Sequence, residues 1–556
     1  MSQDKDKNKS VCIKAAYEDY ESDYIETHYA MFCSNGKPEG YEGMLAYRRR
    51  LVGDLRVNTQ KLKIEGSIPR KWADKEQLTT SGVVKVMQLA NEFRNIVLNP
   101  LHPESSTIPC VYDFEKMKYV PVWDADFLIK EITALTAASK STDQIKDIAK
   151  LVASTAPVVN RRCIPSEIPC ETYLYDEVTK EKIEYGPDIY LLSHGAVDYD
   201  ENATNPIIIN PEDGSSWDFD SWEKEVLGDD EEMVALHHQI LAREVRPYRP
   251  WVGAAMYVGD KGNNGKGTFI HLERQLVGAG NYSVADIKEF GERFGLTNLV
   301  SANAVLCDEN DTEYVANGLS RFKAATGGTD EFSVEFKNKN GKVSIVFRPI
   351  VVQCVNALPR SKDKSPSVYR RYVPIPFEIT FTGVEREYIK NDYLERPEVL
   401  AYVKKIAIET EIKSISPPNL PKRSKELLMA IMQANDPAIA FWEEVRTELV
   451  WDRVPFEFIY DLYVKWVRRN NPSGKVSGKT AFKDSFRNLI EKDPDWDGRF
   501  DQNQTIKKPS GGMPYEPLIT EYQLETWYNP VYRGADLVKR ATGANVKDRF
   551  RGIVRI

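Results

Sequence analysis

Residues 257 to 270 read "YVGDKGNNGKGTFI", a glycine-rich stretch between the apolar run "WVGAAM" (251–256) and the helix-like "HLERQLV" (271–277). Glycines let backbone N–H groups turn inward around an anion, and a lysine can reach terminal phosphates. A helix immediately after the loop points its positive end at the same place. Gly259, Gly262, Asn263, Asn264, Gly265, Lys266, Gly267 and Thr268 are therefore candidate phosphate-binding residues. The loop departs from the usual spacing in two places. Asp260 stands where the first glycine is expected, with Gly259 beside it, and Gly267 follows Lys266 directly, so that the hydroxyl comes one place late, at Thr268. Taken alone, the stretch fits both a nucleotide loop and an ordinary glycine-rich turn.

Three downstream segments narrow the choice. "SANAVLCDEN" (301–310) is an apolar run ending in Asp308-Glu309, an acid pair suited to holding a metal's hydration shell and to polarising an attacking water. "PIVVQCV" (349–355) ends at Asn356, a polar tip that can orient that water and sense the terminal phosphate. "SVYRRYVPIPF" (367–377) places Arg370 and Arg371 beyond it. An acid pair or an arginine pair is more often structural than catalytic; the ordered set points to nucleotide hydrolysis.

The motifs "GNNGKGTF", "VLCDE", "FKAATGGTDEFSVEFKNKNG", "VVQCVNALP" and "YRRYVPIPF" resemble those of superfamily III helicases, in particular the phage, plasmid and poxvirus primase-helicase family. The resemblance extends upstream through "VYDFEKMKYVPVW" and "LLSHGAVDYD" and downstream through "IYDLYVKWVRRNNPSGKVSGKTAFKDSF", about residues 80 to 495. It implies an AAA+ ATPase that assembles as a homo-hexamer and moves 3′ to 5′ on single-stranded and forked DNA, with ATP and Mg²⁺ as cofactors. A replicative role for a phage, plasmid or other mobile element is implied too, beside a separate primase or polymerase. Carried over by position, Lys266 would bind phosphates, Asp308 the metal, and Glu309 the catalytic water. Asn356 would be the sensor, and Arg370 or Arg371 the arginine finger of a neighbouring subunit. Thr268 would be the metal's hydroxyl ligand, a role its displacement puts in question. Two alternatives stay open: a bifunctional primase-helicase, and an origin-binding initiator that holds ATP without robust unwinding.

Between the acid pair and Asn356, "VEFKNKNGKVSIVFR" alternates like two strands around a turn at Asn340-Gly341. Lys337, Lys339 and Lys342 at its tip could track a phosphate backbone in a ring channel; a solvated surface hairpin is the plainer reading.

The whole chain of 556 residues suggests several domains, a multidomain α/β protein with an AAA+ P-loop ATPase, a mixed N-terminal region and a C-terminal winged-helix-like module. The expected divisions are 1–75, an accessory segment; 76–235, the module preceding the helicase; 236–415, the ATPase; and 426–556, a DNA-binding region, after the proline-rich "SISPPNLPKRS". A net charge of −8 excludes a uniformly basic coat, so nucleic acid must be met by local positive charge. Basic residues do cluster from Arg48 to Lys71, along Lys475, Lys479, Lys483 and Arg487, and in the tail after Pro530. The start "MSQDKDKNKS" has no apolar segment and no run approaches bilayer length, so a cytoplasmic protein without membrane partners is expected, in a bacterial host. Seven scattered cysteines without a CxxC pair read as free thiols rather than a zinc site. Asp124 and Asp126 in "VWDADFL", with His194 and Asp198, can be forced into the metal pattern of a primer-synthesising enzyme, but the expected Ser-x-His is absent.

Overall fold

The computed structural model describes residues 20–31, 40–64, 78–90, 92–122, 126–136, 140–292, 296–310, 320–336, 342–359, 366–412, 419–470, 476–501 and 503–556. The chain divides into two compact units, one made of residues 1–359 and 370–421, the other of 360–369 and 422–556.

The first unit contains, after a helical stretch at 20–31, α1 (Gly40–Ile64) and α2 (Thr80–Ala90), then β1 (Arg94–Val97), β2 (Thr107–Asp113) and β3 (Lys118–Pro121), then α3 (Asp126–Thr136), α4 (Thr142–Thr155) and β4 (Val158–Asn160). In α1, Tyr47, Leu51 and Leu55 recur every fourth residue and are buried, the apolar stripe that seats a helix on a core. They join Ile132, Ile148 and Val152 in one cluster. The strands run β3-β2-β1-β4, antiparallel except for the parallel β1–β4 pair. Buried Lys118 ties this sheet to the rest of the unit, its Nζ donating to Asn281 Oδ1 at 2.8 Å and to the Gly280 carbonyl at 3.2 Å.

After short antiparallel pieces come α5 (Phe219–Val226) and α6 (Glu231–Glu244), then β5 (Ala254–Val258), α7 (Lys266–Val277), β6 (Tyr282–Ser283) and β7 (Ala304–Cys307). Next are α8 (Ser320–Ala325), the hairpin β8 (Glu331–Glu335) and β9 (Lys342–Val346), β10 (Ile350–Val355), β11 (Tyr372–Pro376) and α9 (Pro397–Glu409). Five of these strands form a wholly parallel sheet in the order β6-β7-β10-β5-β11. Every residue of β5, β7, β10 and β11 is buried, which is why they read as unbroken apolar runs rather than alternating ones.

In the second unit, α10 (Pro437–Val445), β12 (Arg453–Pro455), α11 (Phe456–Asn470), α12 (Lys479–Ile490) and β13 (Trp496–Arg499) precede a long excursion. It holds β14 (Ile506–Lys507) and β15 (Arg549–Phe550), and the chain ends in β16 (Gly552–Arg555). β16 is the middle strand of an antiparallel sheet, β12-β16-β13. The supposed tail is thus part of the core, with Ile553 fully buried. Gly552 is required there, because a Cβ would stand 1.9 Å from the Val454 carbonyl oxygen.

Candidate active site

Parallel strands present their carboxyl ends at one edge of a sheet, where ligands of such folds bind. At that edge β5 leads into Gly259, β10 into Asn356 and β7 into Asp308-Glu309. Because β10 lies between β5 and β7, Asn356 stands between the glycine-rich loop and the acid pair. Asn356, Asp308 and Glu309 are all exposed there. Asn310 fastens the exits together: its amide donates to the Cys354 carbonyl at 2.9 Å and its Oδ1 accepts from the Ile287 N–H at 3.1 Å.

The loop's glycines divide into two kinds. Gly265, just before α7, has φ of 91°, and a Cβ there would meet Val226 Cγ1 at 2.6 Å. At Gly259 a Cβ would strike Asn264 Nδ2 at 2.2 Å and the Phe377 carbonyl at 2.7 Å. These two are needed by the fold itself. Gly262 and Gly267 have nothing within 4 Å of where a Cβ would be, so no protein neighbour demands them, and the backbone there is left open. Lys266 opens α7 and folds its ammonium onto the Gly259 carbonyl, and burial pushes its pKa down. Asn264 is buried, its amide turned to the Phe377 carbonyl at 3.3 Å, so it braces the loop. Asn263 is held from behind, its Nδ2 donating to Glu385 at 2.9 Å and its carbonyl accepting from the Phe381 N–H at 2.8 Å.

Asp308 is engaged by a residue not anticipated from the sequence. Arg274 of α7 donates to both its carboxylate oxygens, at 2.9 and 3.1 Å. Burial acts to raise the Asp308 pKa, but the Arg274 guanidinium outweighs it and holds the carboxyl below its ordinary range. Seven residues separate Gly267 from Arg274, nearly two helical turns, so the two lie on one stripe of α7 facing Asp308. Thr268 is rotated about 100° from that stripe, and it and Gly267 both border a cavity.

That cavity, about 560 Å³, adjoins Asn263, Gly265, Gly267 and Thr268. Trp222 and Val226 of α5 wall it on one side, and Phe381, Val384 and Ile389 on the other. Arg386 links the two lips through an ion pair with Glu225 of α5. The walls come from well before and well after the loop in sequence, which is why motif reading missed them.

The two arginines separate cleanly. Arg371 is buried, its Nε donating to the Lys323 carbonyl at 3.0 Å and its guanidinium 3.8 Å from Asp330. Arg370 is exposed. Both precede β11, whose Tyr372 pairs with Ala254 at the start of β5, so they lie at the sheet edge opposite the loop. A strand of that length spans roughly 16 Å, further than an arginine side chain reaches.

The hairpin forms as β8 and β9, with Lys342 opposite Glu335 and 3.3 Å from its carboxylate. One face of it is buried through Phe332, Val334, Val343 and Ile345, so it is not a free solvated hairpin. Lys337, Lys339 and the Asn340-Gly341 turn lie outside the described residues, as does Asp124. Asp126 begins helix α3 rather than ending a strand, and Asp198 accepts from the Thr172 N–H and hydroxyl.

Residues 433–525 match the family described as poxvirus D5 protein-like. A second match, to a family of unknown function, DUF5906, covers residues 257–371, from the strand carrying the glycine-rich loop to the arginine pair. No curated protein matches the sequence. Among solved structures, the A form apo structure of the NrS-1 C-terminal region is similar at 12% identity, covering 73% of this chain and 85% of that one with a TM-score of 0.39. The A form apo structure of the NrS-1 C-terminal region (305–718) aligns over 81% and 94% at 15% identity, TM-score 0.40. A JCV helicase bound to a thiazolopyridine compound aligns over 40% and 65% at 14% identity, TM-score 0.22. Among the described residues, no helix is long and apolar enough to cross a membrane, and no group of histidines, cysteines and carboxylates suits a metal cluster.

Proposed function

We propose that this chain is an AAA+ ATPase that unwinds DNA during replication of a mobile element, working as a hexameric ring that moves 3′ to 5′ in the host cytoplasm. The observation that carries the reading is the shared sheet edge: the Lys266 loop, Asn356 and Asp308-Glu309 leave three adjacent parallel strands side by side. The exposed Arg370 sits at the opposite edge, suited to serve another subunit's site. In this reading the open backbone around Gly262 and Gly267 receives the phosphates, Lys266 leaves the Gly259 carbonyl to pair with them, and the cavity beside Trp222 and Phe381 takes the base and ribose. Its volume is within the usual range of small-molecule sites. The Asp308 carboxylate, once released by Arg274, would hold a hydrated Mg²⁺, which when bound would neutralise phosphate charge. Glu309 draws the proton from the attacking water, Asn356 orients that water, and Arg370 of the partner subunit stabilises charge on the transferred phosphoryl group.

Strand displacement on forked DNA carrying either a 3′ or a 5′ single-stranded tail tests the reading, with Lys266→Ala as control. Unwinding should need the 3′ tail and ATP and vanish in the variant; equal unwinding by the variant would defeat the assignment. One observation favours a second reading, an ATP-binding initiator without robust turnover: Arg274 occupies Asp308, and no hydroxyl stands at Gly267. Glu309→Gln separates the two, since only a hydrolysing enzyme loses its ATPase while still binding ATP.

A further inference from the structure

We propose that a groove in the second unit, between α12 and the chain returning through residues 545–551, docks the phosphate backbone of duplex nucleic acid. This rests on the reading of residues 426–556 as a DNA-binding region and names its ligand and the surface that meets it. The groove encloses about 680 Å³. Lys479 and Lys483 line one wall, and Lys547, Arg549 and Arg551 the other, against a single carboxylate, Glu457. Lys479 is already ion-paired with that carboxylate. Among the described residues, Lys483, Lys547, Arg549 and Arg551 have no carboxylate within ion-pair distance, and the last three are exposed. Lys483 is anchored by donating to the Phe500 carbonyl at 3.3 Å, and Arg549 to the Thr505 hydroxyl at 3.4 Å, contacts that fix the side chains without cancelling their charge. Arg551 is delivered by the close-packed start of β16 at Gly552. Two basic segments that looked separate in sequence thus face one another. Arg487, which the stripe pattern would have included, turns away to Asp501 at 2.9 Å and to the Phe500 ring.

The nature of the ligand is set by the chemistry of the groove. Proteins that hold single strands without sequence preference stack bases on exposed aromatic faces. Here Phe456, Phe500 and Trp527 are buried, Phe456 against Phe500, and Phe550 is half-buried on the same core, so none of the groove's aromatic rings is exposed. What remains is fixed positive charge on two facing walls, complementary to the dense paired phosphate rows of a duplex.

The test uses the full chain without nucleotide, comparing a short blunt duplex with an oligothymidylate of equal length by anisotropy across a salt series. The Lys547→Ala/Arg549→Ala/Arg551→Ala variant should bind duplex on the order of ten- to a hundredfold more weakly near ~0.1 M salt, with the salt slope reduced by up to about three. Its oligothymidylate affinity and basal ATPase should stay close to parental. The charge-preserving Lys547→Arg/Arg549→Lys/Arg551→Lys variant should retain duplex binding, separating lost charge from lost folding. Unchanged duplex affinity and slope in the alanine variant would overturn the proposal. So would an equal loss toward oligothymidylate, which would make this a single-strand groove, or a loss confined to polyglutamate, which would make it a site for acidic protein. Lys266→Ala should leave duplex binding intact. If the parental chain proved to have no ATPase while the alanine variant still lost duplex, the helicase reading would fail and the groove would stand.

Discussion

Gly267 and Thr268 show how one displaced hydroxyl changes what a site needs. In the expected spacing the hydroxyl after the lysine would face the Asp308 side of α7; here that position is Gly267, on the Arg274 stripe, and Thr268 lies about 100° further round the helix, beside Gly267 on the cavity that Trp222 walls. A metal held by Asp308 would then be completed by water rather than by Thr268. Thr268→Val is accordingly expected to lower Mg²⁺-dependent ATPase by less than about tenfold, the loss of one indirect contact. Gly267→Ser meets no neighbour and no unusual backbone angle, so it should fold and lower the Mg²⁺ concentration for half-maximal turnover. Mg²⁺ titration of the two variants checks both; abolished turnover in Thr268→Val with nucleotide binding intact would restore Thr268 as a direct ligand. Arg274 itself was illegible in sequence, since one arginine two turns into a helix carries no signal until the acid strand is placed beside it.

Behind the loop, α5, α6, β5 and α7 meet at a buried polar cluster. His237 is fully buried, its Nδ1 bonded to Glu223 and its Nε2 3.7 Å from Glu273, an ion-pair rather than a hydrogen-bond distance. Tyr257 donates to Glu273, and Glu244 is buried beside it. Burial alone would push the His237 pKa down, but the carboxylates of Glu223 and Glu273 outweigh it and raise it from 6.5 to about 9. A cation whose folded pKa is raised contributes stability in full below pH 6.5 and loses it as pH climbs through 9, here about 3 kcal/mol. Glu244, held well above the ordinary carboxylate range by burial and by Glu273, acts in the same sense. The urea midpoint of the transition that exposes α6 and α7, monitored by amide exchange, should therefore fall as pH rises from 6.5 through about 9; a flat or rising midpoint would refute the buried cation. At this scale the sequence was legible where a motif is contiguous: the loop, the acid strand, the Asn356 strand and the hairpin arms each announce themselves by apolar runs and turn residues. What joins distant segments was not, as with the Trp222 and Phe381 walls. The last strand was lost for another reason: β16 offers only "GIV" between charged residues, too short a run to distinguish from a tail.

For the whole molecule, the decisive fact is that Arg370 and the Lys266 loop belong to opposite edges of one sheet. A site that uses both must be built from two subunits in a head-to-tail arrangement, which closes into a ring or runs on as a filament. Arg371 serves a different purpose, since removing it would break a buried hydrogen bond to the Lys323 carbonyl within the same subunit. Arg371→Ala should therefore cost roughly 1–3 kcal/mol of stability, seen as a lowered melting temperature. Arg370→Ala should leave melting unchanged and lower ATPase by on the order of a thousandfold if it is the finger. Mixing then reads the geometry directly. Neither Arg370→Ala nor Lys266→Ala subunits should turn over alone, yet a mixed assembly contains interfaces where an intact Lys266 loop meets an intact Arg370. Activity should rise and fall with the mixing ratio, and recovery should disappear when one subunit carries both substitutions. No recovery at any ratio, in assemblies shown by mass to contain both subunits, would mean that Arg370 does not act across an interface, and the opposite-edge placement would need another explanation.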